Sequence, residues 1–159
     1  MPSLVGPWIS AGDTTVVDSS KKHELGSRAF DADGNEYIYL TGVANTLAGS
    51  WVTFDELHIT ALAVADAKGR VAIAMAAIVA SSYGWYLIYG KHTAAYVTTG
   101  ISDNAQLYLT ATAGAVHSTD VAGDFIVGAI GRSEVTTFGV SAGLTVELSY
   151  PFVHDAAID

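Results

Sequence analysis

From residue 26 onward the apolar residues fall into short runs with a two-residue period, and the runs are separated by turn chemistry. Tyr37-Ile-Tyr-Leu40 is β-favouring and apolar on both faces, which predicts a central strand. Before it, Asp33-Gly34 supplies the positive-φ positions of a tight hairpin between extended flanks at Phe30 and Tyr37. Gly42 to Gly49 reads as a loop. Trp51–Phe54 and His58–Val64 read as the next strands, followed by a turn from Asp66 to Gly69. Val71-Ala-Ile-Ala-Met-Ala76 alternates large and small side chains. As a strand it puts Val71, Ile73 and Met75 on one face and only alanines on the other, a pattern suited to close approach of a second layer. The alanines also permit a helix, so the expectation is a strand to about Met75 and then a short helical turn over Ala77–Ser82. Tyr83-Gly-Trp-Tyr-Leu-Ile-Tyr89 is the clearest strand, with Tyr83, Trp85, Leu87 and Tyr89 on one face and Tyr86 and Ile88 on the other. Further strands are expected at His92–Val97, Gln106–Thr112, Phe125–Ile130 and Leu144–Tyr150, the last with Leu144, Val146 and Leu148 inward.

Many short strands spaced roughly 8–12 residues apart, with glycine-rich turns and no long amphipathic helix, predict an all-β chain. The expected architecture is a single-domain antiparallel β-sandwich or barrel, jelly-roll-like, over residues 26–159, with an irregular N-terminal arm over residues 1–25. The arm contains Pro2 and Pro7, has weak periodicity, and carries the polar run Asp18–Glu24. One short extended piece is expected at Thr14–Val17. Its apolar residues Leu4, Val5, Trp8 and Ile9 have no obvious place in a self-contained core. Either Trp8 folds back on its own domain or the arm reaches a neighbouring subunit.

Composition sharpens the question of what the surface does. A chain of 159 residues fits one domain, long enough to hold a core without staples, and it contains no cysteine. Disulfides and thiolate metal sites are therefore excluded. Charged residues make up 14% of the chain, against about 25% in ordinary soluble proteins. The surface must be covered by Ser, Thr, Gly and Asn or be buried against partners, and obligate interfaces share this depletion of charge. The net charge of −9 repels phosphate backbones, so no nucleic-acid partner is expected. The longest wholly apolar run, Val71–Ala80, is about half of the ~20 residues that a membrane-spanning helix needs. No membrane partner and no signal peptide are expected, and synthesis is expected in the cytoplasm.

The motifs that suggest chemistry are weak. Asp31-Ala-Asp-Gly-Asn-Glu36 resembles a calcium loop, but its glycine falls early and strands flank it, so a hairpin is the expectation. Gly139-Val-Ser-Ala-Gly143 matches the nucleophile-elbow pattern, yet Leu-Thr-Val-Glu-Leu follows it, a strand where the elbow needs a helix. Asp55 and Glu56 are neighbours that point to opposite strand faces. The five histidines show no metal-ligand spacing. Gly128-Ala-Ile-Gly131 reads as a bulge or a close packing point. No catalytic residue, metal or cofactor is expected. The aromatic residues are the better candidates, because Tyr and Trp are enriched in interfaces. Trp51, Tyr83, Trp85, Tyr86 and Tyr89 join the four arm residues as interface candidates, with a core strand and a sugar-binding platform as the other readings of the aromatic segment.

Four stretches carry a resemblance to a known family. They are Glu36-Tyr-Ile-Tyr-Leu-Thr-Gly-Val-Ala-Asn45 leading to Gly49-Ser-Trp-Val-Thr53; Val71-Ala-Ile-Ala-Met-Ala-Ala77 leading to Tyr83-Gly-Trp-Tyr-Leu-Ile-Tyr-Gly90; Leu109-Thr-Ala-Thr-Ala-Gly114 leading to Val121-Ala-Gly-Asp124; and Tyr150-Pro-Phe-Val153. In this order, over about residues 25–155, the chain resembles the capsid decoration (cement) proteins of tailed bacteriophages. The resemblance implies a homo-oligomeric β domain, a trimer rather than a dimer, on the outer capsid surface of the virion. Its partner there would be the major capsid protein, and its work would be to bridge neighbouring capsomers. A tail or head-fibre module, or a carbohydrate-binding β-sandwich, is the alternative.

Overall fold

The computed structural model describes residues 8–136 and 141–154. Leu4 and Val5 lie outside the described residues. Ten strands follow one another: β1 (Arg28–Phe30), β2 (Glu36–Thr41), β3 (Trp51–Phe54), β4 (Thr60–Leu62), β5 (Lys68–Ala74), β6 (Tyr83–Val97), β7 (Gln106–Leu109), β8 (Val116–His117), β9 (Phe125–Gly131) and β10 (Ser141–His154). Among the described residues the only helical piece is a 3-10 turn at Asp13–Thr15. The chain is a single all-β domain.

The strands join one mixed sheet in the order β1-β2-β6-β8-β7-β9-β10-β5-β3-β4, and two more pairings, β6–β10 and β6–β5, fold it on itself. The strand pairings are antiparallel except β6 with β8, at Val97↔Val116. The extra pairings close a ring of five strands, β6-β8-β7-β9-β10 and back to β6. Val97, Leu107, Leu109, Val116, Ile126, Leu144 and Val146 of this ring are all 0% exposed. The first half of β6 leaves the ring to pair with β2, from Thr41↔Tyr83 to Tyr37↔Leu87. The end of β10 leaves it to pair with β5, from Phe152↔Arg70 to His154↔Lys68. Thus β6 and β10 belong to both the ring and an open sheet.

That sheet is buried on both faces, as its sequences require. Tyr37 and Tyr39 of β2, Val71 and Ile73 of β5, and Trp85 and Leu87 of β6 pack into one core continuous with the ring interior. Ile38, Leu40, Ala72, Ala74, Tyr86 and Ile88 form a second core on the opposite face, with Ile78 lying over it. The alternation expected in β5 and β6 is therefore the alternation observed, and the alanine face of β5 permits the close approach of Tyr86 across Ala74↔Tyr86.

Three expectations need correction. Residues 77–82 form no helix. The Ile78 carbonyl accepts from the Val43 N–H and the Ser82 carbonyl from the Gly42 N–H, so a distant loop takes acceptors that a helix would use. Ser81 is also left-handed, at φ 63°. Thr14–Val17 is not extended throughout, because the Ser10 hydroxyl donates to Asp13 Oδ2 at 2.7 Å and Thr14 Oγ1 donates to the Ala11 carbonyl at 2.8 Å, which stabilises a turn. His92–Val97 is not a separate strand but the second half of β6, which continues through Gly90 at φ 109°.

The described part of the arm lies along its own domain. The Ile9 N–H donates to the Phe30 carbonyl, and Asp18 and Tyr83 exchange backbone hydrogen bonds. The Tyr39 hydroxyl donates to Asp18 Oδ2 at 2.6 Å and accepts from the Lys22 N–H at 3.2 Å.

Candidate interaction surface

The most distinctive surface lies where β10 passes from the ring to the sheet. Pro151 is buried and has no N–H to give a ladder. The register with β9 jumps between Leu148 and Phe152. Gly128 of β9 sits against this bulge at φ 82°, where a Cβ would lie 2.6 Å from the Ser149 carbonyl oxygen. This is the close-packing point expected of Gly128-Ala-Ile-Gly131. Within the bulge Tyr150 adopts φ 48°. A bulky side chain in the left-handed region costs on the order of 1–3 kcal/mol and needs surrounding structure to hold it.

That structure is visible. The Tyr150 hydroxyl donates to Glu36 Oε2, and Arg28 Nη1 donates to Glu36 Oε1 at 3.0 Å. Glu36 itself is 4% exposed, so both carboxylate oxygens are engaged at a buried position. The bond to Glu36, and then burial, raise the Tyr150 hydroxyl above the ordinary phenol range. The Tyr150 ring nevertheless stays half in solvent. Tyr89 lies beside it with ring centroids 5.3 Å apart, and the Arg28 guanidinium lies 6.0 Å from its centre. Across the sheet, the Arg70 guanidinium covers Phe54 at 4.5 Å and donates to the Asp55 carbonyl at 3.0 Å. Phe152, exposed and paired in register with Arg70, stacks on His154 at 5.9 Å. Between the two arginines a small slot of about 60 Å³ is floored by Val71, Ile88 and Pro151. Two of the three arginines in the chain thus rim one aromatic patch.

A second hollow, about 420 Å³, lies between the arm and the sheet, lined by Trp8, Ile9, Val16, His23, Ala29 and Trp85. His23 meets Tyr39 edge-on at 5.0 Å and Trp85 at 5.3 Å. Burial, and then the bond to Asp18, push the Tyr39 hydroxyl up to about 12.

The interface candidates divide by exposure. Trp8 is 58% and Tyr89 is 42% exposed. Ile9 and Tyr83 are half-buried against the main core. Trp51 and Tyr86 are fully buried and hydrogen-bonded, Trp51 Nε1 to the Tyr96 carbonyl at 3.2 Å and the Tyr86 hydroxyl to the Thr41 carbonyl at 3.0 Å. Trp85 is also in the core. Trp51, Trp85 and Tyr86 therefore form no exposed platform for a sugar ring. Arg28, Arg70, Tyr150 and Phe152 were not among the interface candidates read from the sequence, although Tyr150 and Phe152 lie in one of the four stretches of the resemblance. The available signal was Tyr150-Pro151, an aromatic residue before a proline that interrupts an otherwise clean alternation.

The weak chemical motifs have structural roles. Asp31 closes the β1–β2 hairpin, with Oδ1 accepting from the N–H groups of Asp33 and Asn35 and Oδ2 from Asn35 Nδ2 and the Tyr37 hydroxyl. Ser141 opens β10 and is followed by strand. Asp55 Oδ1 accepts the Leu57 and Ile59 N–H groups and caps a turn. Among the described residues no group of three His, Asp or Glu converges as a metal site. Comparison of the chain with protein-family models, with curated proteins and with solved structures finds no match in any of the three.

Proposed function

We propose that this chain is a structural virion protein of a tailed bacteriophage, which binds the outer capsid surface and bridges neighbouring capsomers as a decoration or cement protein. The observation that carries this reading is the exposed rim of Tyr89, Tyr150 and Phe152 with Arg28 and Arg70, set on a sheet buried on both faces. Tyr and Arg dominate the energetic centres of protein interfaces. Here a strained backbone and a buried carboxylate hold the tyrosine ready, so little freedom is left to lose on docking. The low charge content and the family resemblance of the sequence support the same reading. Cementing adds interface area across joints under outward pressure. A standard contact buries about 1,600 Å², and linked copies multiply its effect. The protein would act as a homo-oligomer, a trimer in this reading, with the major capsid protein as partner.

The test is co-sedimentation with mature shells lacking the protein, followed by an electron cryomicroscopy map of the virion. Saturable binding and density over capsomer joints are expected. Density in the tail or in a head fibre would replace this reading with the other virion role. A monomer with no affinity for any shell would remove the decoration role.

A further inference from the structure

We propose that the slot between Arg28 and Arg70 receives the carboxylate of an aspartate or glutamate from an extended, apolar-flanked segment of another protein; the identity of that protein as a capsid component rests on the function proposed above. The slot has an apolar floor, two guanidinium groups and the Tyr150 ring on its rim, and a volume of about 60 Å³. That is room for a few waters, at about 10–15 Å³ of such space for each, and so for a group the size of a carboxylate.

The donors are available. A guanidinium has five N–H donors arranged to grip a carboxylate through two parallel bonds. Arg28 gives one nitrogen to Glu36, and Arg70 gives one to the Asp55 carbonyl. Among the described residues Arg70 has no carboxylate partner, although it is exposed. The nearby carboxylates already have partners within the chain. Glu36 serves Arg28 and Tyr150, and Asp55 Oδ1 serves the Leu57 and Ile59 N–H groups.

Charge disfavours a second copy docked through this same patch. Two-fold self-association through this patch would bring Arg28 and Arg70 together with their equivalents, and Glu36 is already occupied. The overall charge of −9 repels acidic partners in general. A local pair of arginines therefore directs where an acidic side chain lands. Tyr150 on its rim, with exposed Tyr89 beside Tyr150 and exposed Phe152 in register with Arg70, calls for apolar neighbours on the partner segment.

The experiment uses two probes. The first is the acetylated, amidated tripeptide leucyl-glutamyl-leucine, titrated into the full chain by NMR beside its glutaminyl counterpart. Expected are saturable shifts of the Tyr150 ring and Arg70 side-chain signals, about tenfold weaker for the glutaminyl peptide and lost in Arg70→Gln. Equal responses to the two peptides, or shifts that persist in Arg70→Gln, overturn the proposal. The second probe is mature shells lacking the protein, mixed with wild type and with Arg70→Glu. A drop of about tenfold or more in shell affinity supports the slot. Equal binding overturns it while leaving the decoration role intact. A peptide response without shell binding keeps the slot and removes that role. If Arg70→Glu instead dissociates an oligomer in sedimentation, the occupant is a second copy, and the assignment to another protein is wrong.

Discussion

The Tyr150 hydroxyl donates a hydrogen bond to the Glu36 carboxylate, joining β10 to β2 across 114 positions of sequence. Removing only that hydroxyl tests how much the bond contributes. In Tyr150→Phe the buried Glu36 loses one of its two partners, and an unsatisfied buried acceptor costs about 1–3 kcal/mol. The urea midpoint should fall accordingly, while the far-UV spectrum stays that of a β protein.

Trp51 and Tyr89 are both aromatic strand residues but should behave in opposite ways. Trp51→Ala empties a fully buried position and should destabilise by about 3–5 kcal/mol. Tyr89→Ser removes a partly exposed ring that packs beside Tyr150 and should cost only about 1 kcal/mol. If the rim is the docking surface, Tyr89→Ser should still weaken shell binding by about tenfold or more. Thermal unfolding and co-sedimentation of the two variants check the contrast.

Gly128→Ala should be among the costliest small changes. The added methyl meets the Ser149 carbonyl at 2.6 Å, and φ 82° disfavours any Cβ. A loss of about 2 kcal/mol or more is expected, read as a lower unfolding midpoint.

Acid should destabilise the fold in two separable steps. Burial opposes charge on Asp31. The Asn35 side chain, the Tyr37 hydroxyl and the backbone N–H groups of Asn35 and Asp33 outweigh it together, so its pKa is lowered on folding. The resulting stability is present above the ordinary carboxylate value, about pH 4. It is lost as pH falls through the lower folded value. Asp31→Asn should flatten that limb of a plot of urea midpoint against pH.

His92 acts at higher pH. Burial lowers its pKa, against a smaller opposing effect of the Ala94 backbone, and its Nε2 has no hydrogen-bond partner among the described residues. The unfolded chain therefore takes up a proton first, below about pH 6.5. Stability should fall as pH drops through that value, and His92→Gln should remove this step.

The legible parts of the fold were those whose side chains obey one period over several residues. In β5 the expected split of Val71 and Ile73 from the alanines is the split between the two cores. In β10, Leu144, Val146 and Leu148 point inward as expected. Residues 77–82 were not legible, because the deciding partners, the Gly42 and Val43 N–H groups, are remote in sequence. The two-residue strand β8 was too short to show a period. The rim was hidden for a related reason. Arg28, Arg70 and Tyr150 come from three strands, and only the fold brings them to one slot.

The sharing of β6 and β10 has a mechanical consequence. These strands of 15 and 14 residues run from the ring into the sheet that carries the rim, β10 by way of the bulge between Leu148 and Phe152. A pull on Phe152 or Tyr150 directed along β10 is therefore resisted in shear, by many inter-strand bonds strained at once, and not by peeling them apart singly. A subunit tugged at this face would transmit tension through its whole body before any part of it opened.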